Sequence, residues 1–301
     1  MTQAALKVDH LTKDFGHGRG IFDVSFEIHP GEVFGFLGPN GAGKTTTIRH
    51  ITGFTKPGSG SVSVLGLDAT TQYNQVMKHI GYLPGEIALP VNVSGWQFIH
   101  TMQQMRGVKD DTYLNQLLEM FDLDPSGNTK RMSLGTKRKL AVVTAFLADP
   151  EILILDEPTS GLDPAMQAQF IQFMVSEKRR GKTILLSSHI FPEVEATCDR
   201  IAIIKDGKIV SQVDANKLQN KDVKTYELFF KTVHDRDLAA NELGGAKSKV
   251  GLKVKVKAAE VGDFFANQLK GRHITKLVED KFDLESYFMN FYRTDKVFKT
   301  I

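Results

Sequence analysis

The residues with the most chemical content form one run, Gly38-Pro39-Asn40-Gly41-Ala42-Gly43-Lys44-Thr45, between an apolar stretch and a helical pattern. Its glycines let the backbone curl until successive N–H groups point inward at phosphate oxygens. A helix starting near Lys44 adds its positive N-terminal end. At this spacing Lys44 reaches the β- and γ-phosphates of a nucleotide, and the Thr45 hydroxyl can ligate Mg²⁺. With Thr46 directly behind, residues 38–46 are the candidate set for ATP and its Mg²⁺.

A second feature completes the first. Ile152-Leu153-Ile154-Leu155 is an unbroken apolar run that delivers Asp156 and Glu157 at its end. A buried strand ending in a carboxylate supplies the second half of a P-loop ATPase site, with Asp156 holding Mg²⁺ directly or through water. Glu157, one residue on, can polarise an attacking water. Alone, this run also reads as a strand followed by solvated acids. Paired with the glycine loop, it specifies a P-loop NTPase.

Elements must hold these groups in place. Val24–Ile28 and Val33–Leu37 read as strands joined by a turn at His29-Pro30-Gly31, and Lys44–Thr52 reads as a helix. Val62–Leu65 and Ile80–Leu83 are short strands. Residues 93–147 hold no convincing strand. Gln97, Phe98, Met102 and Met105 follow a helical pattern ended by Gly107, and helices are predicted over Leu114–Met120 and Lys137–Leu147. Strands return at Ile152–Leu155 and Thr183–Leu186 around a helix over Ala165–Arg180, both unbroken as in a sheet buried on two faces. Ile201–Ile204 and Lys208–Val213 form a hairpin at Asp206-Gly207. The alternation of strand and helix indicates an α/β fold with a helical insert.

The texture changes after Asn216. Tyr226–Phe230 and Leu252–Val256 read as strands, while Val261–Leu269 and Leu284–Tyr292 look helical. Lysines between Lys247 and Lys257 alternate with Val250, Leu252, Val254 and Val256, the pattern of a half-buried strand with a basic outer face. Charge divides in the same place: residues 1–214 carry 21 Lys+Arg against 23 Asp+Glu, and residues 215–301 carry 17 against 12. The chain's net +3 is too weak to indicate nucleic acid. One cysteine, Cys198, excludes an internal disulfide framework. The longest apolar stretch, Leu140–Ala148, is interrupted by Thr144 and is shorter than the roughly 18–20 residues of a membrane span.

The remaining motifs choose a branch of the P-loop enzymes. Asp156-Glu157-Pro158-Thr159-Ser160-Gly161-Leu162-Asp163 resembles the extended second motif and D-loop of ATP-binding cassette ATPases. Ser187-Ser188-His189 matches that family's switch histidine. Met132-Ser133-Leu134-Gly135-Thr136-Lys137-Arg138-Lys139 stands where the family places its signature, and Phe15 stands where it stacks an aromatic on adenine. The resemblance covers residues 6–214, in the family's order, and is to an ABC transporter nucleotide-binding subunit of the bacterial drug and peptide exporter type.

That resemblance implies a RecA-like core with an antiparallel β part and a helical subdomain over about 86–148. The ATP-binding domain is then 1–215, and 216–301 is a small α+β accessory domain. It implies catalytic roles for Glu157 and His189, and ATP contacts from Phe15, Ser133, Gly135 and Asp163. It implies two such subunits meeting head to tail, as a homodimer or close heterodimer, on a separate polytopic permease at the cytoplasmic face of the cell membrane. The signature departs from the usual Leu-Ser-Gly-Gly-Gln by Leu134 and Thr136. The Q-loop glutamine expected after Gly81-Tyr82-Leu83-Pro84 is Gly85, followed by Glu86, so that either Glu86 substitutes or water fills the gap. Trp96, with Val91 and Phe98, is either a surface for the permease or part of the subdomain core. Two other readings of the chain are a soluble cassette ATPase acting on ribosomes or DNA, and a membrane-sensing regulatory ATPase. The first normally needs a second cassette or a long coiled coil, and no heptad run of that length is present.

Overall fold

The computed structural model describes residues 3–215, 223–249, 251–279 and 284–292. The chain divides into two compact units, Met1–Asp214 and Ala215–Ile301. The texture change at Asn216 and the alternating position Val250 lie outside the described residues.

In the first unit, strands β1 (Leu6–Asp14), β2 (Gly20–Ile28), β4 (Ser59–Val64) and β5 (Leu67–Asp68) form an antiparallel sheet in the order β2-β1-β4-β5. The second sheet, β10-β9-β3-β8-β7-β6, uses β3 (Val33–Leu37), β6 (Ile80–Leu83), β7 (Ile152–Asp156), β8 (Thr183–Ser188), β9 (Arg200–Lys205) and β10 (Lys208–Asp214). All of its pairings are parallel except the β9–β10 hairpin. β3, β7 and β8 are buried at every residue, because crossover segments cover both faces of the parallel sheet. β1 instead alternates buried and partly exposed positions. The inner face of the antiparallel sheet (Leu6, Val8, Phe26, Val62) packs with Phe34, Phe36 and Ile154 of the parallel sheet and with Ile48 and Ile51 of helix α1 (Lys44–Ile51). Phe26 stacks on Phe34 with ring centroids 5.1 Å apart.

Three helices lie between β6 and β7. Helix α3 (Gly95–Arg106) opens on a capping box, in which Ser94 Oγ accepts from Gln97 N–H while the Gln97 side chain accepts from Ser94 N–H. It stops at Gly107, whose φ of +69° continues no helix. Helix α4 (Thr112–Met120) follows, and then α5 (Leu134–Phe146). The sequence pattern starts this last helix at Lys137. The structure starts it three residues earlier, because Ser133 Oγ accepts the Thr136 N–H and supplies a cap. Sequence periodicity also misses β1 and two short helices, α2 (Tyr73–His79) and Phe191–Thr197.

The second unit is a four-stranded antiparallel sheet of β11 (Val223–Phe230), β12 (Ala246–Lys247), β13 (Gly251–Lys257) and β14 (Ile274–Glu279), in the order β12-β13-β11-β14. With the helix Val233–Leu243 and the helical stretch 261–268, the order is β-α-β-β-α-β, the ferredoxin-like arrangement. Tyr226, Leu228, Leu252, Val254 and Phe264 form its core, and Lys253, Lys255 and Lys257 are exposed on the opposite sheet face. The helix Val233–Leu243 and β14 go unpredicted, since neither carries a clear apolar period. No helix among the described residues is long and apolar enough to cross a membrane.

Gly38 marks how tightly the parallel sheet meets the phosphate loop. A Cβ there would stand 2.6 Å from the Ile204 carbonyl oxygen of β9. Overpacking of this kind costs about 1–3 kcal/mol, so Gly38→Ala is expected to lower the thermal melting temperature measurably. A melting curve superimposable on that of the wild type would contradict this packing.

Candidate active site

The phosphate loop leaves β3 and enters α1. Gly41 and Gly43 have φ values of +81° and +114°, and Gly43 meets Ile21 so closely that a Cβ would lie 2.7 Å from its Cγ2. Side chains at these positions would strain or block the loop. Pro39, Asn40, Gly41, Gly43, Lys44, Thr45 and Thr46 line one pocket together with Glu157. Lys44 is buried, and its ammonium donates to the Gly38 carbonyl at 2.6 Å and lies 3.2 Å from Glu157 Oε1.

The parallel register brings the acids to this loop. Asp156 pairs with Ser187 across β7 and β8. The Asp156 carboxylate, 1% exposed, accepts from Thr45 Oγ1 at 2.7 Å through Oδ2 and from Ser187 Oγ through Oδ1. Burying a carboxylate is tolerable only with such donors. Glu157 follows with φ +51°, a left-handed conformation that costs a non-glycine residue about 1–3 kcal/mol. It is held there by its N–H donating to the Ser187 carbonyl at 3.0 Å. The Glu157 carboxylate spans two partners: Oε1 faces Lys44, and Oε2 accepts from His189 Nδ1 at 2.5 Å. The His189 side chain is more than half exposed.

Not every predicted site residue joins this cluster. Phe15 is exposed in the turn between β1 and β2, where its N–H donates to the Arg19 carbonyl. β2 itself is tied to the phosphate loop through Gly207, whose carbonyl accepts from Phe22 N–H and whose N–H donates to the Ala42 carbonyl. Ser133 and Gly135 begin α5 and do not line the phosphate pocket. Asp163 caps helix α6 (Pro164–Arg179) through Met166 N–H at 3.0 Å. Leu134, 61% exposed, packs on Gly161, so the start of α5 and the 158–163 loop meet within one chain. Glu86 is exposed, whereas the Gly85 backbone lies against Asp156, where a Cβ would be 3.3 Å from Oδ2. Trp96 is 36% exposed and stacks on His100.

Sequence reasoning gave no role to Ser187, although its place opposite Asp156 follows from parallel pairing. It also passed over Glu193, which is fully buried below the site. Glu193 Oε2 accepts from Ser188 Oγ at 2.6 Å and Thr159 Oγ1 at 3.3 Å, and Oε1 has no partner. Burial pushes this carboxyl from the ordinary 4.5 up to about 7, against the two hydroxyl donors.

Fold and site together define a P-loop ATPase. Comparison with known proteins narrows this class. The ABC transporter family model matches residues 21–160. The chain is 34% identical over 294 residues to an uncharacterized ABC transporter ATP-binding protein, YhcH of Bacillus subtilis (strain 168), across 93% of this chain and 95% of the relative. It is 30% identical over 303 residues to the bacitracin transport ATP-binding protein BcrA of Bacillus licheniformis, across 94% and 96%. A solved structure described as the ATP-binding subunit of an ABC transporter matches with a TM-score of 0.66 at 30% identity, covering 71% of this chain and 92% of that one. The chain belongs to the ABC transporter ATP-binding proteins, and it is an ATPase that serves such a transporter.

The raised Glu193 carboxyl makes a signed prediction. A buried group whose folded pKa lies above its unfolded value stabilises fully below 4.5 and loses that contribution as pH rises through about 7. Glu193→Gln cannot ionise, so its melting temperature minus that of the wild type is expected to rise between pH 5 and about pH 7, to the order of several degrees, and then level off. A difference that stays flat over this range would show that Glu193 does not titrate there.

Proposed function

We propose that this chain is the motor subunit of an exporter whose membrane path lies in a separate polytopic permease. It works as a homodimer or close heterodimer at the cytoplasmic face of the cell membrane. The observation that carries the reading is the Asp156-Glu157 pair at the end of β7, one carboxylate on Thr45 and the next between Lys44 and His189. The relative named for bacitracin transport supports a drug, antibiotic peptide or related compound as cargo. Nucleic acid is not among the proposed partners.

The donor set fits Mg²⁺. A threonine hydroxyl and a carboxylate 2.7 Å apart are hard oxygen ligands, and Mg²⁺ completes its shell with phosphate oxygens and water. Thr45 and Asp156 would hold the ion, which would supply positive charge against the nucleotide's phosphates.

The chain's own groups divide the remaining work. The N–H groups of residues 40–46, at the start of α1, cradle the phosphates, and Lys44 turns from the Gly38 carbonyl to the γ-phosphate. Glu157 orients the attacking water and takes up its proton. His189, hydrogen-bonded to Glu157, holds that carboxylate's direction and faces the γ-phosphate. Phe15 stacks on the adenine. Ser133, Gly135 and Asp163 lie away from this pocket, and in this reading they act on the nucleotide held by the partner subunit. The positive end of α5 suits that use.

Removing the proposed base tests the site. Glu157→Gln is expected to bind ATP and dimerise, with phosphate release slowed by about 10²- to 10⁴-fold. Hydrolysis at the wild-type rate would overturn the assignment. The transport reading is tested separately by affinity purification of the tagged chain from solubilised membranes. A polytopic membrane protein should come with it at a fixed ratio, and recovery of ribosomes or DNA instead would overturn the exporter reading.

A further inference from the structure

Arg138 lies in the second turn of α5 and is 3% exposed. Its guanidinium donates to three main-chain carbonyls in two loops: Nη1 to Pro84 at 3.1 Å, Nη2 to Gly85 at 2.8 Å and Nε to Ser160 at 3.1 Å. These loops flank the end of β7. On one side the Gly85 backbone stands against the Asp156 carboxylate, where even a Cβ would come within 3.3 Å of Oδ2. On the other side, the Ser160 N–H donates to the Glu157 carbonyl at 3.1 Å, closing the turn that carries Glu157 in its left-handed conformation.

Position 85 has no side chain. The loop therefore meets Asp156 with its main chain, and that main chain is held by Arg138. A planar fork with several donors in fixed directions is the group suited to bridging carbonyls in two loops. Burial lowers the guanidinium's pKa, and the Asp156 and Glu157 charges oppose that shift. The two acids therefore favour the charged arginine without pairing with it directly.

We propose that Arg138 is a positioning residue for ATP hydrolysis: by tying the Gly85 and Ser160 carbonyls to one side chain, it fixes the relative geometry of Asp156 and Glu157 without touching the nucleotide. This rests on the roles given above to Asp156 and Glu157. It also makes α5, the helix capped by Ser133, a direct mechanical neighbour of the hydrolytic pair in its own subunit. A displacement of α5 reaches both carboxylates through one residue.

The test uses the full chain with Arg138→Met, which keeps much of the volume and removes every donor, and Arg138→Lys, which keeps the charge but offers a single ammonium that cannot span both loops. Misplacement of a reacting group by about 1 Å costs up to about 10²-fold, so kcat of Arg138→Met is expected to fall by about 10- to 100-fold with KM for ATP changed by less than about threefold. ATP affinity, measured without turnover in the Glu157→Gln background, should likewise stay within about threefold. Arg138→Lys should regain most of the melting temperature and only a minor part of kcat. A purely structural role would move melting temperature and leave kcat unchanged well below the melt. Should the Met variant not fold, the Lys variant decides alone. Wild-type kcat in Arg138→Lys overturns the proposal, and so does a kcat loss matched by an equal loss of ATP affinity. Glu157→Gln measured alongside separates the two claims: if that variant still turns over normally, the reading of the site has failed, and if it is inactive while the Arg138 variants are normal, only this inference has failed.

Discussion

A carboxylate with almost no exposure to water sits at the end of a central strand, and the site is arranged around keeping it there. Asp156 can remain at that position because hydroxyls from two other elements donate to its two oxygens, Thr45 from the start of α1 and Ser187 from the end of β8. An unpaired carboxylate so placed would cost several kcal/mol or take up a proton. The requirement therefore couples three elements. β7 must pair in parallel with β8 in the register that sets Asp156 opposite Ser187, and the glycine loop must deliver α1 with Thr45 turned back onto the sheet.

Everything adjacent follows from that anchoring. Glu157 comes immediately after the anchored residue and turns by way of a left-handed backbone, which directs its side chain between Lys44 and His189. The ion pair with Lys44 and the hydrogen bond from His189 order a side chain that a solvated strand end would leave free. Around this pair, the chain packs buried polar groups outside the phosphate pocket, such as Glu193 under Ser188 and Thr159, and Arg138 across the two flanking loops. Rigidity at Asp156 and Glu157 is supplied from behind, by buried polar residues with several partners each.

Much of this could be read from residue order. The phosphate loop and the Ile152–Glu157 run are local patterns, since glycine placement and unbroken apolar strands depend little on distant residues. The parallel strands were legible for the same reason. What escaped has a common cause. β1 carries polar residues at its bulged, half-exposed positions, where register shifts interrupt the period of two. The helix Val233–Leu243 buries only Ala239 and so shows no apolar stripe. Ser133 was singled out for chemistry, yet its local action as a cap, which moves the start of α5 to Leu134, was not foreseen. In the sequence Arg138 is one of three consecutive basic residues, Lys137, Arg138 and Lys139, at the start of a predicted helix. Its three carbonyl partners lie 22, 53 and 54 residues away, a placement that only the tertiary fold reveals.

The central claim is that Asp156 anchors the metal-bearing end of the nucleotide through the same carboxylate that Thr45 approaches. Titration calorimetry of ATP into the purified chain, with Mg²⁺ and with EDTA, measures this directly in the wild type and in Asp156→Asn. The account predicts that Mg²⁺ tightens ATP binding to the wild type and that this metal-dependent gain is abolished in Asp156→Asn, while metal-free binding through residues 38–46 persists. An equal Mg²⁺ gain in both proteins would contradict it.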